Sequence, residues 1–167
     1  MKTVNLHFQG AAAKDELTID LIESSLSQIC DRKSEFTDFF YSTLFADYPQ
    51  VQPLFANTPM QDQGKKLFTS LVLVVNNLTQ PQVLGDTLQA MGTRHVQYGT
   101  LPEYYPMVGS TLLKTLAFML QDTWSTELAA AWSDAYAAIT KIMLSAADPS
   151  SARLQDDEAA AGGTSVQ

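Results

Sequence analysis

Apolar side chains recur every three or four residues over most of this chain, and that spacing constrains the fold more than any other feature. One stretch illustrates it: Leu84, Leu88, Met91 and His95 follow one another at steps of four, three and four. Residues at these steps share one face of an α-helix. Glycine-punctuated stretches of alternating apolar and polar residues, which are typical of β-strands, do not occur in the sequence. We therefore predict an all-α fold.

The helices of this fold can be placed approximately. They are predicted after Thr18, over about Ser34–Phe45, over about Met60–Leu78, after Pro81, around Pro106, and between Leu128 and Ile142. Thr18 is expected to cap the first helix. The run Thr100–Glu103 has the T-x-x-E form of a capping box and is expected to open the fifth. Pro49 and Pro53 bracket a short turn-like segment that ends at Phe55.

The ends of the chain differ from its middle. Residues 1–14 are interpreted as a disordered start or the remnant of a tag, so His7 is left out of the chemistry. Residues 148–167 are rich in small and acidic residues without periodic apolar positions, which predicts a disordered tail. One domain over residues 15–147 remains, which is long enough to bury a core.

Charge and composition exclude several classes of partner. The formal net charge of −8 argues against binding nucleic acid or an anionic membrane surface. No apolar run is long enough for a membrane span, and no export signal is present, so we expect a cytoplasmic protein. The single cysteine, Cys30, excludes an intramolecular disulfide and any cysteine-based metal site. A monomer or weak homo-oligomer is expected.

His95 is the one histidine inside the predicted domain, and two interpretations compete for it. A neutral imidazole near the end of an apolar helix suits an axial metal ligand. A lone histidine on an apolar face is otherwise most often a hydrogen-bonded core residue. The surrounding residues have to decide between these two.

Four landmarks in order along the chain resemble a known framework. Tyr41 lies eight residues before Pro49, Phe55 follows six residues after it, and His95 comes later. Three segments narrow the resemblance: Phe40–Phe45, Arg94–Gly99 and Glu103–Gly109. Together they resemble the haem domain of bacterial flavohaemoglobins and the related single-domain bacterial globins, over about residues 15–147. The alternative is a helical bundle that holds no cofactor and serves as an acidic interaction module.

The resemblance implies a three-on-three globin fold around haem b, with His95 as the proximal iron ligand. The carbonyl of Met91, one turn earlier, is the nearest acceptor for the other ring nitrogen of His95. The resemblance also places Tyr41, Gln63 and Leu67 on the opposite, distal side of the haem. A shift of one residue in the match would leave Gln61 as the reserve candidate for Gln63.

Further site residues follow from the same resemblance. Phe55 is expected to stack on the porphyrin, and Lys66 and Arg94, ahead of Lys65, to pair with its propionates. Tyr105 matches a tyrosine that, together with a glutamate, makes the proximal histidine more electron-donating in this family. The glutamate position falls on Ala147, which puts strong activation of oxygen in doubt.

Two functions fit this set of residues. The first is reversible and tight binding of dioxygen, and of nitric oxide and carbon monoxide, for storage, transport or sensing. Tyr41 and Gln63 are expected to hydrogen-bond the bound gas. The second is a nitric oxide dioxygenase in which the same two residues act in catalysis. That enzyme would need a separate reductase, because no dinucleotide-binding glycine motif occurs in the chain.

Overall fold

The computed structural model describes residues 6–147, with side chains from residue 15 onward, and every regular element in this part of the chain is helical. The α-helices are α1 (Leu6–Ser27), α2 (Lys33–Asp47), α3 (Met60–Asn76), α4 (Pro81–Gln97), α5 (Tyr104–Leu120) and α6 (Thr126–Ala146). Short 3-10 turns occupy Cys30–Arg32, Pro49–Phe55 and Gln121–Thr123. The all-α prediction is confirmed. No helix in the described range is long and apolar enough to cross a membrane.

Two predicted helix starts were wrong. Helix α1 begins at Leu6, so Thr18 lies inside the helix instead of capping it. The three alanines at 11–13 favour helix strongly enough to carry it through this region. The interpretations given to residues 1–5 and 148–167 lie outside the described residues, and the boundary at residue 15 stays a prediction.

Thr100 belongs to the end of α4 and not to the start of α5. Its backbone amide donates to the carbonyl of His95 (3.0 Å), and the amide of Gly99 donates to the carbonyl of Val96 (3.0 Å). Gly99 has a φ of 80°, which only glycine adopts without strain. This pair of hydrogen bonds is the Schellman motif that terminates helices. Helix α5 therefore begins only at Tyr104, with Pro106 in its first turn as predicted.

The main core lies between α1, α2, α5 and α6. Its largest fully buried side chains include Phe36, Phe40 and Leu116. Trp132 on α6 is also buried, and its indole Nε1 donates to the hydroxyl of Ser25 on α1 (2.9 Å). That hydrogen bond satisfies the one polar atom of a large apolar side chain and ties the first helix to the last.

A second, smaller core supports α4. Four buried side chains form it: Val74, Leu88, Tyr105 and Met143. They come from α3, α4, α5 and α6, so four helices meet here. Because Leu88 lies seven residues before His95 on the same helix face, this core holds the helix that carries the histidine.

Candidate functional site

An apolar cavity with a volume of about 160 Å³ lies between the two cores and is partly open to solvent. Helices α3 to α6 supply most of its wall. Among its lining residues are Leu67, Leu71 and Val75 from α3, Met91 and His95 from α4, Val108 and Leu112 from α5, and Ala135, Ile139 and Met143 from α6. The cavity therefore suits an apolar molecule.

His95 is half-buried on the wall of this cavity. Its ring Nδ1 lies 2.8 Å from the carbonyl oxygen of Met91, the acceptor expected from the helical spacing. Since a carbonyl can only accept a hydrogen bond, Nδ1 carries the proton and donates it. The other ring nitrogen, Nε2, then keeps its lone pair. In this tautomer His95 can act as a metal ligand.

Tyr105 lies beside His95, and Tyr136 is hydrogen-bonded to Tyr105. The ring centroid of Tyr105 lies 6.1 Å from that of His95, and the hydroxyl of Tyr136 donates to the carbonyl oxygen of Tyr105 (2.7 Å). Burial raises the pKa of both phenols, so both stay protonated at neutral pH. Sequence reasoning missed Tyr136. Its signal was its position four residues after Trp132, on the inward face of the last helix.

A second group of polar and aromatic residues forms around Tyr41. This tyrosine is buried, and its ring contacts those of Phe55 and Phe45, with centroids 5.6 and 5.8 Å away. Burial raises the pKa of Tyr41, and the side-chain amide of Gln63 partly offsets that rise through a hydrogen bond. The phenol therefore stays protonated and Gln63 lies next to it.

The structure brings the predicted residues together in two groups, not in one. Leu67, His95 and Tyr105 line the cavity, whereas Tyr41, Phe55 and Gln63 do not. Phe40 connects the two groups: it lines the cavity, and its ring packs edge-on against that of Tyr41 with centroids 5.1 Å apart.

The remaining predicted residues lie at the surface. Lys66 and Arg94 are exposed and do not line the cavity, while Lys65 forms an exposed ion pair with Asp62 (3.6 Å). Gln61 is exposed and Gln63 half-buried, which favours Gln63 as the distal residue. Ala147 follows the end of α6, and its methyl side chain offers no carboxylate to Tyr105; the neighbouring Asp148 lies outside the described residues.

No protein cage for a free metal ion exists in the part of the chain that the structure describes. Among these residues, no three His, Cys, Asp or Glu side chains converge. His95 would therefore be the single protein ligand of any metal in the cavity. Such a metal would have to bring its other ligands with it, as the iron of a porphyrin does. The apolar wall and the single imidazole fit that kind of group.

Comparison with protein-family models gives one match, to the family described as globin, over residues 38–143. That range contains the segment from Phe40 to Met143, including both groups of predicted site residues. It covers more than half of the chain.

Several known proteins are similar to this chain. It is 33% identical over 110 residues to a flavohemoprotein of Pseudomonas aeruginosa, a match that covers 64% of this chain and 28% of that protein. It is 28% identical over 129 residues to an uncharacterized globin-like protein of Aquifex aeolicus, covering 77% of this chain and 91% of that protein. The chain thus spans less than a third of the length of the first relative and most of the second.

A solved structure agrees with the fold. A bacterial globin from Campylobacter jejuni superposes with a TM-score of 0.68 and 27% identity, covering 78% of this chain and 94% of that one. Fold and sequence similarity therefore point to the same family.

Proposed function

The chain belongs to the globin family, and from that premise we propose that it binds haem b through His95 and uses it to bind dioxygen and other diatomic gases reversibly. Storage, transport or sensing of dioxygen is the role this proposal assigns. When bound, haem supplies the other ligands of its iron and leaves one position at which a diatomic gas can bind. His95 supplies the single protein ligand.

One observation carries the proposal: an imidazole on the wall of an apolar cavity, with its Nδ1 hydrogen-bonded to the helix backbone. The Met91 carbonyl holds His95 in the tautomer that leaves Nε2 free. The same hydrogen bond fixes the plane of the ring, so little rotational freedom is lost when the nitrogen binds a metal. The apolar residues around it would limit the access of water to a bound iron.

Tyr41 and Gln63 are proposed as the distal donors. A protonated phenol and an amide can each donate a hydrogen bond to a gas that carries partial negative charge. Hydrogen bonds to charged groups contribute about 1.5–3 kcal/mol each. Neither donor lines the cavity, but Tyr41 packs against Phe40, which does. Tight binding and slow release are expected.

Lys66 and Arg94 are proposed as partners of the haem propionates. Both are exposed on the helices that flank the cavity, α3 and α4. Exposed ion pairs contribute little energy, about 0–1 kcal/mol, so these residues would orient the haem more than retain it.

Reconstitution with haem tests the proposal. We expect the purified chain to bind one haem and turn red, and His95→Gly to lose the haem or bind it weakly, with added imidazole restoring the spectrum. Gln89→Gly is the matched control, because it introduces the same helix-weakening residue at an exposed position of α4. A His95→Gly protein with the wild-type spectrum and affinity would refute the ligand assignment.

A nitric oxide dioxygenase working with a separate reductase is the second candidate, favoured by the similarity to the flavohemoprotein. Converting nitric oxide and dioxygen into nitrate consumes one electron per cycle. With excess nitric oxide, oxygen and reduced nicotinamide dinucleotide, we expect the purified chain to stop after one turnover. An added ferredoxin or flavin reductase should restart it. Continuous consumption without a reductase would contradict this expectation.

A further inference from the structure

The backbones of α4 and α6 approach each other closely where Gly92 meets Met143. A β-carbon on Gly92 would lie 2.9 Å from the Cα of Met143 and 3.0 Å from its carbonyl carbon, and closer still to its carbonyl oxygen. All three are backbone atoms, so no side chain can rotate away to make room. Only glycine fits at this crossing, because it lets two helix backbones come into direct contact.

This crossing lies next to the proposed iron ligand. Gly92 precedes His95 by three residues, which places the two on neighbouring positions of one helix face. It also follows Met91, whose carbonyl accepts the hydrogen bond from His95. The histidine is therefore held by its ring at Met91 and by its backbone through the contact at Gly92.

We propose that Gly92 is a positioning residue for His95: its backbone contact with Met143 sets how far the imidazole reaches into the cavity. This inference rests on the proposed binding of haem through His95. The small core beneath α4 fills in around Leu88 and Met143, but side chains can repack, whereas the two backbones cannot approach further. The contact is thus a rigid stop for the helix.

The expected displacement is large on the scale of a metal–ligand bond. Ordinary contacts of a β-carbon begin at 3.4 Å, so an alanine at position 92 would push the helices apart by about 0.5 Å or more. Functional groups have to be held within about 0.5 Å of their working position. A shift of this size would change the bond between His95 and the iron without removing the ligand.

Gly85 offers a matched control on the same helix. A β-carbon there would meet no atom within 4 Å, and Gly85 lies ten residues before His95. Gly85→Ala and Gly92→Ala therefore make the same chemical change in α4, and both raise its helix propensity. They differ in whether the new methyl group meets α6.

The experiment compares the haem-loaded wild type with both variants by resonance Raman spectroscopy of the ferrous, gas-free protein. We expect Gly85→Ala to keep the wild-type iron–histidine stretching band and Gly92→Ala to shift it, with haem lost at least tenfold faster. An unshifted band in Gly92→Ala would overturn the proposal. A wild type that takes up no haem, or shows no iron–histidine band, would instead defeat the proposed function.

A second variant separates positioning from loss of stability. Ile142 packs against the small core without lining the cavity, so Ile142→Ala weakens the packing of α6 while leaving the backbone contact in place. We expect a lower unfolding temperature with the wild-type band. If Ile142→Ala shifts the band as far as Gly92→Ala does, ordinary packing sets the position of His95 and the proposal fails. Should Gly92→Ala not fold, the pair Gly85→Ala and Gly85→Ala/Gly92→Ala gives the same comparison in a more helical background, and a shifted band in Ile142→Ala overturns the proposal.

Discussion

His95 owes its ligand-competent tautomer to the residue one turn before it. In a helix, the carbonyl of residue i−4 is always within reach of a histidine side chain that folds back along the axis, so this hydrogen bond could be predicted from the sequence and is confirmed. The partner of Tyr105 could not be predicted in the same way. Tyr136 reaches Tyr105 across two helices, and no local spacing indicates that contact.

Substitutions of Tyr41 and Gln63 test their proposed hydrogen bonds to bound oxygen. In the haem-loaded protein, Tyr41→Phe and Gln63→Leu should each speed oxygen dissociation by roughly one to two decades, because each removes one hydrogen bond worth about 1.5–3 kcal/mol. Both substitutions preserve most of the side-chain volume. Stopped-flow measurement of oxygen release against carbon monoxide gives the rates.

Carbon monoxide, which is less polar when bound, is the internal control and should respond less than oxygen. Equal, small changes in the dissociation rates of both gases would mean that Tyr41 and Gln63 act sterically and not by hydrogen bonding. An unchanged oxygen rate in both variants would mean that neither side chain hydrogen-bonds the bound gas.

At the scale of the helices, the sequence located the elements well and their ends poorly. The range around Ser34–Phe45 became Lys33–Asp47, and the helix after Pro81 begins at that proline. The predicted helix start at Thr100 was wrong because Gly99 adopts a left-handed conformation. The backbone amide of Thr100 then donates to the carbonyl of His95 at the end of α4. A capping-box pattern cannot show whether the backbone amide of its threonine already bonds to the preceding helix.

How the helices pack against one another could not be predicted from the sequence. The separation of Tyr41 from the cavity depends on how α2 and α3 pack, since Phe40 and Tyr41 are neighbours in sequence and only one of them lines the wall. Periodicity places both on the inward side of α2 without deciding which faces the cavity.

The close contact between α5 and α6 at Gly109 should make the stability of the fold sensitive to a larger residue there. A β-carbon on Gly109 would lie 2.7 Å from Cδ1 of Tyr136, whose hydroxyl is bonded to the Tyr105 carbonyl. Because that hydrogen bond prevents the ring from swinging aside, Gly109→Ala should cost about 1–3 kcal/mol of unfolding free energy. Urea unfolding gives the value.

The same substitution should cost less when the ring is gone. In a double-mutant cycle with Tyr136→Ser, we expect Gly109→Ala to lose most of its effect. An equal cost in both backgrounds would indicate that the ring is not what the new methyl group meets.

The whole molecule should lose stability at alkaline pH. Burial raises the pKa of Tyr41, Tyr105 and Tyr136 above the ordinary value of 10.0, so the unfolded chain releases these protons first. Stability that is present below about pH 10 is then lost as the pH rises towards the folded-state values. Unfolding free energy measured in urea from about pH 9 to about pH 12 should show the fall.

Tyr136→Phe isolates the largest part of this effect. It removes one buried phenol, so the decline with pH should be shallower by up to about 1.4 kcal/mol per pH unit. The slopes are compared, since the variant also lacks a hydrogen bond worth about 0.5–1.5 kcal/mol at every pH. Parallel slopes would show that Tyr136 ionises normally in the folded chain.

Trp132 ties α6 to α1 through Ser25 and at the same time forms part of the cavity wall. An indole in that place emits light next to whatever occupies the cavity, and a coloured occupant takes up its excitation energy. Trp124, which does not line the cavity, provides a second emitter under the same illumination. Binding of a coloured molecule in the cavity should therefore quench the intrinsic fluorescence of Trp132, so occupancy can be measured without any label.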